Sequence, residues 1–107
     1  LGHMGEMLPV MLARVDDIFA SIDTGLARRP SEYFLANFHI TTSGIFTIPP
    51  FLAALLVVGI DRMLFSVDYP YASNARGRAF LDAAPLDPAD KEKLASGNAA
   101  RLLGLGT

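Results

Sequence analysis

The sequence predicts an α/β chain in which short parallel strands alternate with helices, the arrangement of βα units in a barrel or an open sheet. Three observations predict it. Residues Arg62 to Val67 are close to continuously apolar, the pattern of a parallel strand covered on both faces. That run ends abruptly in Asp68, Tyr69 and Pro70, and a buried strand delivering one carboxylate at its C-terminal end is how (β/α) barrels present a catalytic or metal-binding group. The periodic segments follow one another as helix, strand, helix, strand, helix. An Asp that only caps a turn is the plainer alternative for position 68.

Each element has a local cause. Leu8, Met11, Leu12, Val15, Phe19 and Ile22 recur at steps of three and four, which predicts a one-faced helix over residues 8–24, with Pro9 in its first turn and Gly25 as its stop. Pro30 and Ser31 open a second helix that runs to Asn37, with Glu32 favoured near its positive end. Phe38 to Thr42 alternates and is rich in β-branched residues, so it is expected as a strand that Ser43 and Gly44 end. Pro49 and Pro50 initiate a helix over residues 51–58 that is apolar nearly all round, as expected between a sheet and other helices. After the strand at residues 62–67, residues 72–83 are expected as a helix carrying Phe80 and Leu81. Asp87 caps a helix with Pro88 at its first position, and Asn98 caps a last one ending near Leu103. No internal repeat interrupts this order.

Composition excludes several classes. Hydrophobic residues make up 51% and charged residues 19%, which places the chain among globular and not disordered proteins. A formal net charge of -2 without a basic patch argues against a nucleic-acid partner. The absence of Cys rules out disulfides and thiolate metal sites and fits a cytoplasmic location. The longest apolar stretch, Ile45 to Ile60, is broken by Thr47, Pro49 and Pro50 and falls short of the ~20 residues a membrane span needs. The N-terminal residues do not read as a secretory signal.

The chemistry-bearing residues are few. His3 and Glu6 stand among glycines, and Asp68 closes the apolar strand. His39, inside an apolar strand, reads as a core histidine. Arg14 is either an anion-binding group or a solvated partner of Asp16 or Asp17. Ser43 suits a turn or a substrate contact, and Tyr69 and Tyr71 suit a pocket mouth or packing beneath a loop. Arg101 is expected to pair with a carboxylate or a carbonyl at the base of the sheet.

Four stretches in this order and spacing resemble the C-terminal part of the amidohydrolase superfamily: Gly2-His3-Met4-Gly5-Glu6 with Leu8-Pro9 and Arg14, Phe38 to Gly44, Asp61 to Pro70, and Asn98 to Leu103. More narrowly they resemble the branch of aminocarboxymuconate-semialdehyde decarboxylase and the hydroxybenzoate decarboxylases. The resemblance implies that residues 1–107 are the C-terminal portion of a single TIM (β/α)8 barrel domain. They would form about three βα units, strands 6 to 8, with strands 1 to 5 absent. It implies Asp68 as metal ligand and proton-transfer group, His3 as catalytic or substrate-binding residue beside the metal, and Glu6 as its support. Arg14 would bind a substrate carboxylate, with Ser43 and Tyr69 close to substrate. The implied cofactor is a divalent ion, zinc or manganese, in the intact parent. None is expected on this chain alone, because one Asp and one nearby His are too few ligands. The implied function is a metal-dependent decarboxylase or hydrolase of a small carboxylated aromatic or enol acid, working as a homo-oligomer. The alternative is a non-catalytic remnant whose open strand edges and apolar helix faces are covered by oligomerisation.

Overall fold

Two short parallel strands organise the chain in the computed structural model, which describes residues 1–106. Strand β1 (Ile40–Thr41) pairs with β2 (Met63–Leu64), Ile40 lying opposite Met63 and Thr41 opposite Leu64. Helices α1 (Leu8–Phe19) and α2 (Pro30–Asn37) precede β1. Helix α3 (Ile48–Val58) makes the crossover to β2. Helices α4 (Asn74–Ala83), α5 (Pro88–Glu92) and α6 (Asn98–Leu103) follow. Leu1 lies beside β1: its amino group donates to the His39 carbonyl and its own carbonyl accepts from Thr41 N–H, both at 2.9 Å. Those two bonds bracket Ile40 in the parallel pattern.

The strands bury one face against the helices. Ile40, Met63 and Phe51 are fully buried, and Ala54, Phe80 and Leu94 complete the centre of the core. Phe80 stands edge-on to Phe51 with ring centroids 5.4 Å apart, an arrangement worth about 0.5–1.5 kcal/mol beyond the area it buries. This centre ties α3 and α4 to the sheet, so the crossover helix and the helix after β2 fix the position of the strand ends.

The last helix anchors β2 from below. Asn98 is fully buried, and its amide donates to the carbonyls of Ile60 (2.6 Å) and Met63 (2.8 Å). Its own oxygen accepts from Arg101, whose guanidinium also reaches the Asp61 carbonyl at 3.1 Å. The sequence suggested a helix cap at Asn98; its backbone is helical, and the side chain is a clamp instead. The carbonyl partner expected for Arg101 is present. A π-helical turn at Lys93–Gly97 precedes the clamp, and there the Leu94 carbonyl accepts from Phe65 N–H at 3.0 Å. The C-terminal segment therefore holds the chain on both sides of Leu64.

Several expectations need correction. Helix α1 stops at Phe19 and not near residue 24, because Ser21, Asp23 and Thr24 turn their side chains onto nearby backbone groups and compete with helical bonding. Of its apolar stripe only Leu12 is buried, while Met11, Phe19 and Ile22 are exposed. Helix α3 is not enclosed all round, since Leu56 is 87% exposed. The sheet holds two strands among the described residues, not three, and both are shorter than the apolar runs that predicted them. The radius of gyration, 15.1 Å, exceeds the roughly 13 Å of a compact domain of this length, and many large apolar side chains are exposed. Among the described residues no helix is long and apolar enough to cross a membrane.

His39 is half-buried, not a core residue. Desolvation pushes its pKa below the usual 6.5, with Arg62, Arg101 and the N-terminal amino group adding to the effect. As pH falls through 6.5, the unfolded chain takes up this proton before the folded chain does, so stability rises with pH across the window just below 6.5. His39→Gln is expected to flatten that slope in urea titrations at pH 5 to 7. Asn98→Ala, which takes the donor from the buried Met63 carbonyl and the partly buried Ile60 carbonyl, is expected to cost about 2 kcal/mol, read as a lower urea midpoint at unchanged slope.

Candidate active site

The segment leading into α1 has a backbone of unusual hand. His3, Met4, Gly5, Glu6 and Met7 all have positive φ, at 53°, 56°, 85°, 53° and 67°. Such left-handed geometry costs about 1–2 kcal/mol at each residue carrying a Cβ. Packing holds it: Met4 and Gly5 are buried, and Glu6 N–H returns to the His3 carbonyl at 3.0 Å. Pro9 sits where a Cβ on Gly5 would have to be, 2.8 Å away, so the turn closes only on glycine.

The turn throws His3 and Glu6 to the same side, with Nε2 of the imidazole 3.9 Å from a Glu6 carboxylate oxygen. The other ring nitrogen, Nδ1, lies 2.9 Å from the Ser43 carbonyl. A carbonyl oxygen can only accept, so Nδ1 carries the proton, and Nε2 is the nitrogen that can take one up.

Asp68 reaches the same place from β2. Its φ is +76°, and its carbonyl accepts from Tyr71 N–H (2.8 Å) and Ala72 N–H (3.0 Å), a tight turn a few residues past the end of β2. Between Asp68 and His3 stands Gly44, φ +72°. A Cβ on Gly44 would sit 3.5 Å from the Asp68 Oδ2 and 3.6 Å from the His3 Nδ1. Carboxylate and imidazole thus flank one bare peptide where the parallel strands end. Beside the imidazole opens an apolar groove of about 330 Å³, lined by His3, Met4, Met7, Ile45, Pro50 and Ala54 among others.

Four of the residues singled out in the sequence are brought together: His3, Glu6, Ser43 and Asp68. Ser43 contributes its carbonyl to His3, and its hydroxyl lies 2.9 Å from that of Ser66. Arg14 is not brought in; it is exposed on α1 and has no ion pair among the described residues. Asp16, a candidate partner for it, is held instead by the Ser31 hydroxyl (2.5 Å) and Ser31 N–H (3.0 Å). Those two bonds, with the Arg29 charge nearby, keep its carboxyl below the usual range. Tyr69 and Tyr71 are 72% and 89% exposed, so neither packs beneath a loop. Among the described residues no three His, Asp or Glu side chains gather closely enough to hold a metal ion. Asp68 with His3, one of whose nitrogens is already committed, does not make up a divalent-ion site. Sequence reasoning missed Thr42 and Ser66, whose only signal was a hydroxyl residue next to the C-terminal end of each strand.

Parallel strands with a carboxylate and an imidazole near their C-terminal ends make an α/β scaffold of the kind (β/α) barrels are built from. The chain belongs to the amidohydrolase family, whose model matches residues 1–105. It is 40% identical over 109 residues to the gamma-resorcylate decarboxylase of Rhodococcus jostii (strain RHA1), covering 98% of this chain and 33% of that protein. It resembles the crystal structure of 2,6-dihydroxybenzoate decarboxylase complexed with 2,6-dihydroxybenzoate at TM-score 0.89 and 40% identity, over 98% of this chain and 34% of that one. A dihydroxybenzoic acid decarboxylase from Polaromonas sp. JS666, solved with bound manganese, matches at TM-score 0.87 and 38% identity, over 98% of this chain and 33% of that one. The chain therefore spans about a third of the length of the relatives it matches. These relatives carry the names of decarboxylases, one of them solved in complex with 2,6-dihydroxybenzoate.

Gly44→Ala is expected to cost about 1 kcal/mol or more from its positive φ alone. The added methyl also comes into ordinary van der Waals contact with both Asp68 and His3. The expected outcome is a lower urea midpoint together with displaced His3 ring resonances in NMR spectra.

Proposed function

We propose that this chain supplies the His3, Glu6 and Asp68 side of the active site of a decarboxylase acting on a small hydroxylated aromatic acid. The observation that carries the reading is the convergence of Asp68 Oδ2 and His3 Nδ1 on Gly44. Decarboxylation of such a ring needs a proton at the carbon that bears the carboxylate. Asp68 delivers that proton; the C–C bonding pair then returns to the ring as CO2 leaves, and water restores the proton to Asp68. His3, oriented by the Ser43 carbonyl and flanked by Glu6, positions the substrate by accepting from its hydroxyl through Nε2. The groove beside His3 takes the apolar edge of the ring, and Ser43 and Tyr69 lie near substrate. Arg14 binds the carboxylate in the assembled protein, where its planar fork suits two oxygens.

A divalent ion, as in the manganese-bound relative, belongs to the same proposal, with Asp68 as one ligand. The side chains of residues 1–106 do not complete its coordination; in this reading the other ligands belong to the rest of the barrel. The parallel placement of Leu1 against β1 and the bare outer face of α3 support reading the chain as the last three βα units of a (β/α)8 barrel domain. The exposed apolar residues of α1 support a homo-oligomer, and a cytoplasmic location fits a chain without Cys.

The test is CO2 release from 2,6-dihydroxybenzoate by the complete gene product, with and without added manganese. Asp68→Asn is expected to lower kcat about 10²- to 10⁴-fold, the usual weight of a proton donor. Arg14→Ala is expected to raise KM with a smaller change in kcat, the pattern of lost ground-state binding. Turnover that survives Asp68→Asn unchanged would remove the proposed proton donor.

A further inference from the structure

The two strands change register just before Asp68. With Ile40 opposite Met63 and Thr41 opposite Leu64, the ladder continues through Thr42 N–H to the Leu64 carbonyl at 3.1 Å. Regular parallel pairing would next place Ser66 N–H on the Thr42 carbonyl and Gly44 N–H on the Ser66 carbonyl. Instead Ser66 N–H bonds the Thr42 hydroxyl at 3.0 Å, and Gly44 N–H bonds the Val67 carbonyl at 3.1 Å. The second strand has taken up one extra residue. This is a β-bulge, a device rare between parallel strands and common beside active sites, where it re-aims a side chain.

A bulge strips the extra residue of its ladder partners. Here one hydroxyl serves both of its peptide groups, because Thr42 Oγ1 accepts from Ser66 N–H and donates to the Ser66 carbonyl at 2.8 Å. Thr42 is fully buried, so solvent cannot take over either bond. The effect falls on Asp68. Without the extra residue it would lie about 3.3 Å further along the strand, past Gly44. With it, Gly44 is bonded to the residue immediately before Asp68, and the carboxylate comes to rest across Gly44 from the His3 ring.

We propose that Thr42 is a positioning residue: its hydroxyl fixes the one-residue slip that sets the Asp68 carboxylate next to His3 across Gly44. The kinetic consequence rests on the decarboxylase reading above; the geometric one does not.

Thr42→Val keeps the shape and removes the hydroxyl, and the complete gene product carrying it gives two readouts. In its crystal structure Gly44 N–H is expected to leave the Val67 carbonyl, and Asp68 to withdraw from His3. With 2,6-dihydroxybenzoate, kcat is expected to fall roughly tenfold to hundredfold while KM changes little, since a displacement of ~1 Å at a reacting group costs on that order. Thr42→Ser, which keeps the hydroxyl, is expected to restore both. Should Thr42→Val fail to fold, Thr42→Cys carries the test, because a thiol fills similar space but bonds more weakly, and its kcat is expected to fall below those of wild type and Thr42→Ser. A Val or Cys variant that retains the Gly44–Val67 bond and the Asp68 position overturns the inference, as does a loss that Thr42→Ser fails to rescue. If the wild-type protein turns over no carboxylated aromatic, the decarboxylase reading fails alone, and the register in the variant then decides the role of Thr42.

Discussion

The parallel pairing of Ile40 and Thr41 with Met63 and Leu64 sets where every group at the site can stand. Two residue pairs are a small ladder, and it survives because it is gripped from outside. Asn98 and Arg101 hold the peptides that lead into β2, the Leu94 carbonyl takes Phe65 N–H, and Phe51 and Phe80 press the crossover helix against α4. Beyond the ladder the backbone leaves regular pairing, and side chains take over the bonds that peptides would otherwise make. Precision at the strand ends thus comes from buried polar contacts more than from the sheet itself, in keeping with the high cost of leaving such groups unpaired.

The sequence carried the helices well wherever capping chemistry was local. Pro30 with Glu32, and Asp87 with Pro88, behave as their side chains dictate: Glu32 accepts from Arg29 N–H at 2.8 Å, and Asp87 accepts from Asp90 N–H at the same distance. Strand positions were legible from the apolar runs, but strand lengths were not, because length depends on where the partner strand stops pairing. His3, Glu6, Ser43 and Asp68, whose residue types announce chemistry, were legible as candidates, and the fold brings them close together. Thr42 was not legible, because its hydroxyl bonds Ser66 across a register slip between segments more than twenty residues apart. Asn98 was misread for the same reason: its partners at Ile60 and Met63 are distant in sequence, whereas a cap is a local guess.

Apolar surface is distributed unevenly. The face of the sheet toward α3 and α4 is sealed, whereas Leu52 and Leu56 on α3, and Val10, Met11 and Ile18 on α1, are open to solvent. An apolar stripe at helical spacing reports that a face was shaped for burial, but not which polypeptide buries it. The periodicity of α1 was a sound sign of a helix and a poor guide to what that helix touches within residues 1–106.

The left-handed stretch from His3 to Met7 inverts an ordinary rule of chain chemistry. At four of its five positions an L-amino acid resists the conformation it is made to hold, and only the surrounding packing keeps it there. A semisynthetic protein with D-amino acids at the exposed positions Glu6 and Met7 would find the same path relaxed. The stereochemistry of the building blocks, with every side chain chemically unchanged, would then set how readily the imidazole swings out of place.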